Sequence, residues 1–128
     1  MFNGNVSLKV FLAEDSAPIR ERLQGLLARA HMEVIGAAAT PHQCIRDILE
    51  LHPDVVVLDI QLEGGSGLEV LKAVRSADPN VAFVVFSNNS TDVYRKRYLG
   101  EGAAGFLDKT TELDRLPHAL ATARRTVH

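Results

Sequence analysis

The sequence is poor in cysteine. Cys44 stands alone among 128 residues, so neither an internal disulfide nor a multi-cysteine zinc site can form, and its expected role is that of a small buried hydrophobe, not a redox centre. The histidines His31, His42, His52, His118 and His128 lack the paired spacing of a metal site and read as surface or packing residues. No apolar run approaches the roughly 20 residues of a membrane helix. Met1–Asn5 has neither the basic start nor the apolar stretch of a secretory signal. A basic excess is missing too: 14 basic and 16 acidic residues leave a net charge of −2, whereas a nucleic-acid binder usually carries surplus positive charge. Internal repeats, low-complexity segments and linkers are absent. The expectation left by these exclusions is one soluble, cytoplasmic domain with no direct nucleic-acid or membrane contact. At 46% hydrophobic and 23% charged residues, it has the composition of a chain that builds a core.

What is present is a regular alternation. Five short apolar runs occur at Leu8–Ala13, Glu33–Ala38, Asp54–Asp59, Val81–Phe86 and Ala104–Asp108. Two of them, Val55-Val56-Val57-Leu58 and Val81-Ala82-Phe83-Val84-Val85-Phe86, are apolar at every position, as strands buried on both faces of a parallel sheet require. Between the runs the period becomes helical. Ser16 and Pro18 open a first helix with Ile19, Leu23, Leu26, Leu27 and Ala30 on one face. Thr40 and Pro41 open a second, with Cys44, Ile45, Ile48 and Leu49, which His52-Pro53 stops. Leu68, Leu71 and Val74 mark a third, closed by Asp78-Pro79. Ser90 or Thr91 begins a fourth that ends at Gly100–Gly102, and a fifth runs from Glu112 to about Thr126, with a late start or a kink at Pro117. Strands alternating with helices imply an α/β doubly wound (βα)5 sandwich, its five-stranded parallel sheet in the flavodoxin-like order 2-1-3-4-5.

Such sheets place their sites beyond the carboxyl ends of the strands. Strand 1 ends in Glu14-Asp15, strand 3 in Asp59, strand 4 in Ser87 and strand 5 in Asp108-Lys109. In the order 2-1-3-4-5 these strands are neighbours, about 4.8 Å apart, which gathers three carboxylates, a hydroxyl and an ammonium. Converging carboxylates repel unless a cation compensates. An all-oxygen set suits Mg²⁺, or Mn²⁺, which shares phosphate oxygens readily. Asp59 beside such an ion, Ser87 and Lys109 is arranged for phosphoryl chemistry, with the carboxylate as nucleophile. Taken singly, Glu14-Asp15 reads equally well as a capped turn, Ser87 as a loop residue, Phe106 as a core aromatic and Lys109 as a solvated lysine. Their joint placement carries the functional reading.

With these elements the sequence resembles the receiver domain of two-component response regulators, of the stand-alone single-domain type. The resemblance rests on Phe11-Leu12-Ala13-Glu14-Asp15, Val55-Val56-Val57-Leu58-Asp59, Gly67-Leu68-Glu69-Val70-Leu71, Val84-Val85-Phe86-Ser87 and Gly102-Ala103-Ala104-Gly105-Phe106-Leu107-Asp108-Lys109. It implies a tail over residues 1–7, a receiver domain over 8–126 and no output domain. Asp59 would accept a phosphoryl group from a histidine kinase or phosphotransfer protein. Glu14, Asp15, Asp59 and the backbone carbonyl of Gln61 would hold Mg²⁺. Ser87 and Phe106 would be the switch pair and Lys109 the phosphate-binding lysine. Output would pass to a downstream protein, or to a homodimer partner, through helix 4, strand 5 and helix 5. The domain would be a phospho-acceptor with at most slow self-dephosphorylation, not an enzyme.

The sequence also departs from the family. Thr110 follows Lys109 where a proline preceded by a cis bond is usual, and a cis bond before a non-proline costs about 2.5–4 kcal/mol. Glu63 stands at another frequent proline and leads into Gly64-Gly65-Ser66-Gly67, which implies a more flexible loop. Asn88 replaces a small residue beside the switch hydroxyl, and Gln61 and Asn89 occupy positions that tune hydrolysis. Two other readings compete: an aspartate-nucleophile phosphatase of the haloacid dehalogenase type, which would need an acid where Gln61 stands, and a scaffold that is never phosphorylated. Arg95-Lys96-Arg97 with Arg124-Arg125 reads as a solvated face or, with Tyr94 and Tyr98 on the same helix, as a docking site for an acidic partner. Gly100-Glu101-Gly102-Ala103-Ala104-Gly105 fits a dinucleotide motif, but it sits between a helix and a following strand, the reverse of the required context.

Overall fold

The computed structural model describes residues 7–125. The long strands are β1 (Lys9–Ala13), β2 (Glu33–Ala38), β3 (Val55–Leu58), β6 (Ala82–Ser87) and β7 (Gly105–Asp108), and a small hairpin pairs β4 (Gln61–Leu62) with β5 (Gly65–Ser66). The helices are α1 (Ala17–Arg29), α2 (Pro41–Leu51), α3 (Gly67–Ala77), α4 (Asp92–Gly100) and α5 (Leu116–Arg125), the last preceded by a 3-10 turn at Leu113–Arg115. The long strands form one parallel sheet of order β2-β1-β3-β6-β7. Leaving the hairpin out of the count, this is the expected order 2-1-3-4-5.

Strand alternation divides the apolar residues into two layers. Phe11, Val56, Leu58, Phe83 and Val85 face one side, where Cys44, Ile48, Val70, Leu71, Val74 and Tyr98 of α2, α3 and α4 meet them. Val10, Leu12, Val55, Val57, Val84 and Phe86 face the other, under Leu23 and Leu27 of α1 and Leu116 and Leu120 of α5. Both faces of the central strands are dry, which is why their sequences run apolar without alternation.

The helix boundaries follow local chemistry. Ser16 Oγ accepts from Ile19 N and Thr40 Oγ1 from Gln43 N, each capping the helix it opens. His52, at φ 53°, closes α2 in the left-handed region, and His31, at φ 62°, follows the end of α1 in the same region. A glycine is usual at such stops. Pro117 is the second residue of α5, so the late start holds; Thr126 lies outside the described residues. The glycine-rich stretch after Asp59 is hydrogen-bonded into a small hairpin. Gln61 pairs with Ser66, Gly67 N donates to Ile60 O at 2.7 Å, and Glu63 N donates to Ala39 O at 2.9 Å. Glu69 reaches back to Ser66 N at 2.8 Å, as in a capping box.

Gly67 butts against the carbonyl of Asp59, leaving no room for a β-carbon, and Leu58 closes in from the side. Gly67→Ala should therefore cost about 1–3 kcal/mol, the range for overpacking, read as a lower urea midpoint. Burial pushes the Cys44 thiol up to about 12, with the Asp47 charge adding to it. Native protein at pH 8 should accordingly react with iodoacetamide on the order of 100-fold or more slowly than the urea-unfolded chain, and faster as the pH rises; mass spectrometry follows the label.

Candidate functional site

The ends of β1, β3, β6 and β7 meet at one edge of the sheet. Parallel pairing sets Ala13 beside Leu58 and Ser87 beside Asp108, so the residues that follow each strand converge. Glu14, Asp59 and Ser87 are the buried polar residues here, at 2%, 8% and 1% exposure, while Asp15 and the side chain of Gln61 reach solvent. Together with Lys109, Asn88 and Asn89 they line an open cavity of about 240 Å³.

Lys109 is the hub of the site. Its Nζ lies 2.6 Å from Glu14 Oε1 and 2.7 Å from Asp59 Oδ2. The remaining oxygens are also engaged: Ile60 N donates to Asp59 Oδ1 at 2.7 Å and Ser16 N to Glu14 Oε2 at 3.1 Å. The main chain fixes both acids in place, because Asp59 N donates to Ala13 O at 3.0 Å, Glu14 N donates to Ala38 O at 3.1 Å, and Arg20 holds Glu14 O at 2.7 Å. Burial raises the Glu14 pKa and Asp59's charge adds to the shift, with the Lys109 hydrogen bond acting against it. Burial alone would lower the Lys109 pKa, but hydrogen bonds and charge from Asp59 and Glu14 outweigh it and leave the ammonium firmly protonated.

A carboxylate oxygen from each of Glu14, Asp15 and Asp59 lies within 4.8 Å of the others. Three hard oxygen donors around a spot that already holds one cationic group fit a divalent ion such as Mg²⁺. Gln61 lines the same cavity.

Ser87 Oγ accepts from Asn89 N at 3.1 Å. Phe106 is turned into the core, 4% exposed, with Tyr98 against it edge-on at 6.4 Å between ring centroids. Burial raises the Tyr98 hydroxyl to about 12. Tyr98 is thus a core residue and not part of a docking face. The basic cluster divides as well. Arg95 is half-buried over Phe106, Arg97 pairs with Glu101 at 3.6 Å, and Arg124 pairs with Asp54 at 3.7 Å; the side chain of Arg125 lies outside the described residues.

Sequence reasoning gave Asp108 no role beyond ending a strand, yet it organises the loop that carries Lys109. Its carboxylate accepts from Ser90 Oγ, Thr110 Oγ1, Thr110 N and Thr111 N, and these bonds, Ser90's first, hold it well below the usual carboxylate range. Its own N–H donates to Glu112 Oε1 at 2.9 Å. No cis peptide bond occurs among the described residues, so the Lys109–Thr110 link is trans and hydrogen bonds to Asp108 shape the turn. The overlooked signal was the Asp-Lys-Thr-Thr run, an aspartate followed by hydroxyl residues, which is a turn signature.

The chain is similar to known response regulators and to solved receiver domains. YxjL of Bacillus subtilis (strain 168), whose name describes an uncharacterised transcriptional regulatory protein, is 33% identical over 119 residues, covering 92% of this chain and 55% of YxjL. The response regulator GacA of Pseudomonas aeruginosa is 29% identical, covering 88% of this chain and 53% of GacA. The chemotaxis protein CheY of Thermotoga maritima is 28% identical, covering 88% of this chain and 93% of CheY. The chain thus spans about half the length of YxjL and GacA. A solved receiver domain assigned to NarL of Mycobacterium tuberculosis has a TM-score of 0.85 at 26% identity, over 93% of this chain and 97% of that one. The CheX–CheY complex from Borrelia burgdorferi, solved with BeF₃ and Mg²⁺, shares the fold with a TM-score of 0.85 at 20% identity, over 90% of this chain and 87% of that one. The response regulator receiver domain family itself matches residues 10–121, which take in every strand end of the site, and the chain belongs to that family.

Proposed function

We propose that Asp59 is the phospho-acceptor of this receiver domain and that Glu14, Asp15 and Asp59, with the Gln61 backbone carbonyl, hold the divalent ion. The observation that carries this reading is the pairing of Lys109 with both Glu14 and Asp59 in a cavity open to solvent. A buried ammonium between two acids is the partner an incoming phosphoryl group would take over. Bound Mg²⁺ supplies charge neutralisation for phosphoryl oxygens.

The protein's own groups would act as follows. Ile60 N and Lys109 orient the two Asp59 oxygens, so the nucleophile is held in place before the donor arrives. One Asp59 oxygen attacks phosphorus, the new O–P bond forms as the donor's P–N bond breaks, and the electron pair leaves with the imidazole. Lys109 then serves the phosphoryl oxygens, while Ser87, whose Oγ accepts from Asn89 N, would donate its O–H to the new group. The acyl phosphate carries roughly −1.5 to −2 of charge where the carboxylate carried −1, so the site gains about one negative charge at most. Phe106 and the face of α4, β7 and α5 transmit the change to a downstream protein or a second copy. Gln61 and Asn89 flank the acceptor and the hydroxyl, where they would set a slow self-dephosphorylation. A second hollow, of about 370 Å³, sets apolar Ile19 and Leu113 among polar Arg22, Asn88 and Thr110 beside Lys109, and would lie against a histidine kinase or phosphotransfer protein seated on the site.

Incubation with acetyl phosphate and Mg²⁺ should add the mass of one phosphoryl group to the wild type and none to Asp59→Asn; a wild type that gains no mass would overturn the reading. Glu14→Gln and Asp15→Asn should each weaken Mg²⁺ binding by about 10-fold or more, measured by NMR titration.

A further inference from the structure

We propose that Arg95 is a positioning residue that holds Phe106 turned into the core, and so keeps the domain ready to receive the phosphoryl group. The inference rests on the reading above in one respect, that Phe106 is the switch aromatic.

Arg95 engages Phe106 twice. Its guanidinium carbon stands 5.0 Å from the ring centroid, and its Nη1 donates to the Phe106 carbonyl at 3.2 Å. The planar guanidinium can stack on the ring and reach the backbone of the same residue, which a lysine ammonium does poorly. Tyr98 meets the ring edge-on. One turn of α4 therefore brackets Phe106, Arg95 over the ring and Tyr98 at its side. If the ring swung outward, the stacking would be lost and the space beside Tyr98 would have to be refilled.

This bracket matters because α4 has few other anchors. Tyr98 is its sole buried residue, while Val93, Tyr94 and Leu99 are exposed. The polar contacts add to the apolar anchor that Tyr98 gives α4 on β7. The second such contact is Ser90 on Asp108. Phe106 and Asp108 lie two residues apart on one strand and so project to the same side of the sheet. The Ser90–Asp108 bond fixes the chain just ahead of α4, which places Arg95 over the ring one turn later. A helix held at these few points can be shifted by a charge appearing at Asp59, whereas one seated on a broad apolar face would resist.

The test uses the full chain. In Arg95→Met, the NMR cross-peaks between the Phe106 and Tyr98 rings, recorded without Mg²⁺ or any phosphoryl mimic, should weaken as the ring samples outward positions. Affinity for beryllofluoride in saturating Mg²⁺ should fall by about 10-fold, because the ring must first be brought back in, while Mg²⁺ affinity stays within about twofold. Arg95→Lys should recover part of the loss, and Ser90→Ala should act in the same direction more weakly. Retention of the full ring cross-peaks in Arg95→Met would overturn the proposal, whatever happens to binding. Failure of the wild type to bind beryllofluoride would instead remove the phospho-acceptor reading, and the ring measurement would still decide the role of Arg95.

Discussion

The site depends on one buried ammonium. Glu14 and Asp59 are nearly out of solvent, and two carboxylates so placed would repel each other if nothing stood between them. Lys109, 2.6 Å and 2.7 Å from them, makes the arrangement tolerable. It comes from the far edge of the sheet, 50 residues beyond Asp59, so the pairing also ties the end of β7 to β1 and β3 across the intervening β6. An uncompensated buried charge costs several kcal/mol. The acids and the lysine thus require one another.

The sheet makes this convergence possible. Because all five long strands run parallel, every strand delivers its last residue to the same edge, and the apolar layers on both faces leave that edge as the place where polar side chains can gather. The same topology explains why α1 and α5 share one layer with Leu12 and Phe86 while α2, α3 and α4 share the other with Phe83 and Val85. Phe106 lies in the second layer and Lys109 follows directly from the strand that bears it, so the charged site and the packing of α4 are joined through the four residues of β7.

Most of this was legible in the sequence. The apolar runs and the capping residues Ser16 and Thr40 are short-range signals, and the order 2-1-3-4-5 is the common arrangement for five strands alternating with helices. Glu14, Asp15, Asp59, Ser87 and Lys109 could be assembled from strand ends alone. What escaped were contacts between side chains distant in sequence. Arg95 reads as one of three solvated cations until the fold sets it over Phe106, and Tyr98 reads as a surface aromatic until α4 is given a direction. The left-handed conformations of His31 and His52 were hidden because neither is glycine or asparagine. The hairpin after Asp59 was hidden for a different reason: composition does not show that Gly64, at φ 81°, is the corner of a hairpin.

That hairpin has a thermodynamic consequence. Between Asp59 and Gly67 the backbone closes on itself through the Gln61–Ser66 pair and the Gly67-to-Ile60 bond, and Glu63 fastens it to the turn after β2. Asp59 is therefore mounted on a stretch of chain whose conformational entropy was surrendered when the domain folded. A cation or phosphoryl group taken up at this loop would find little further backbone to order, so the chain itself would contribute little to the entropy change.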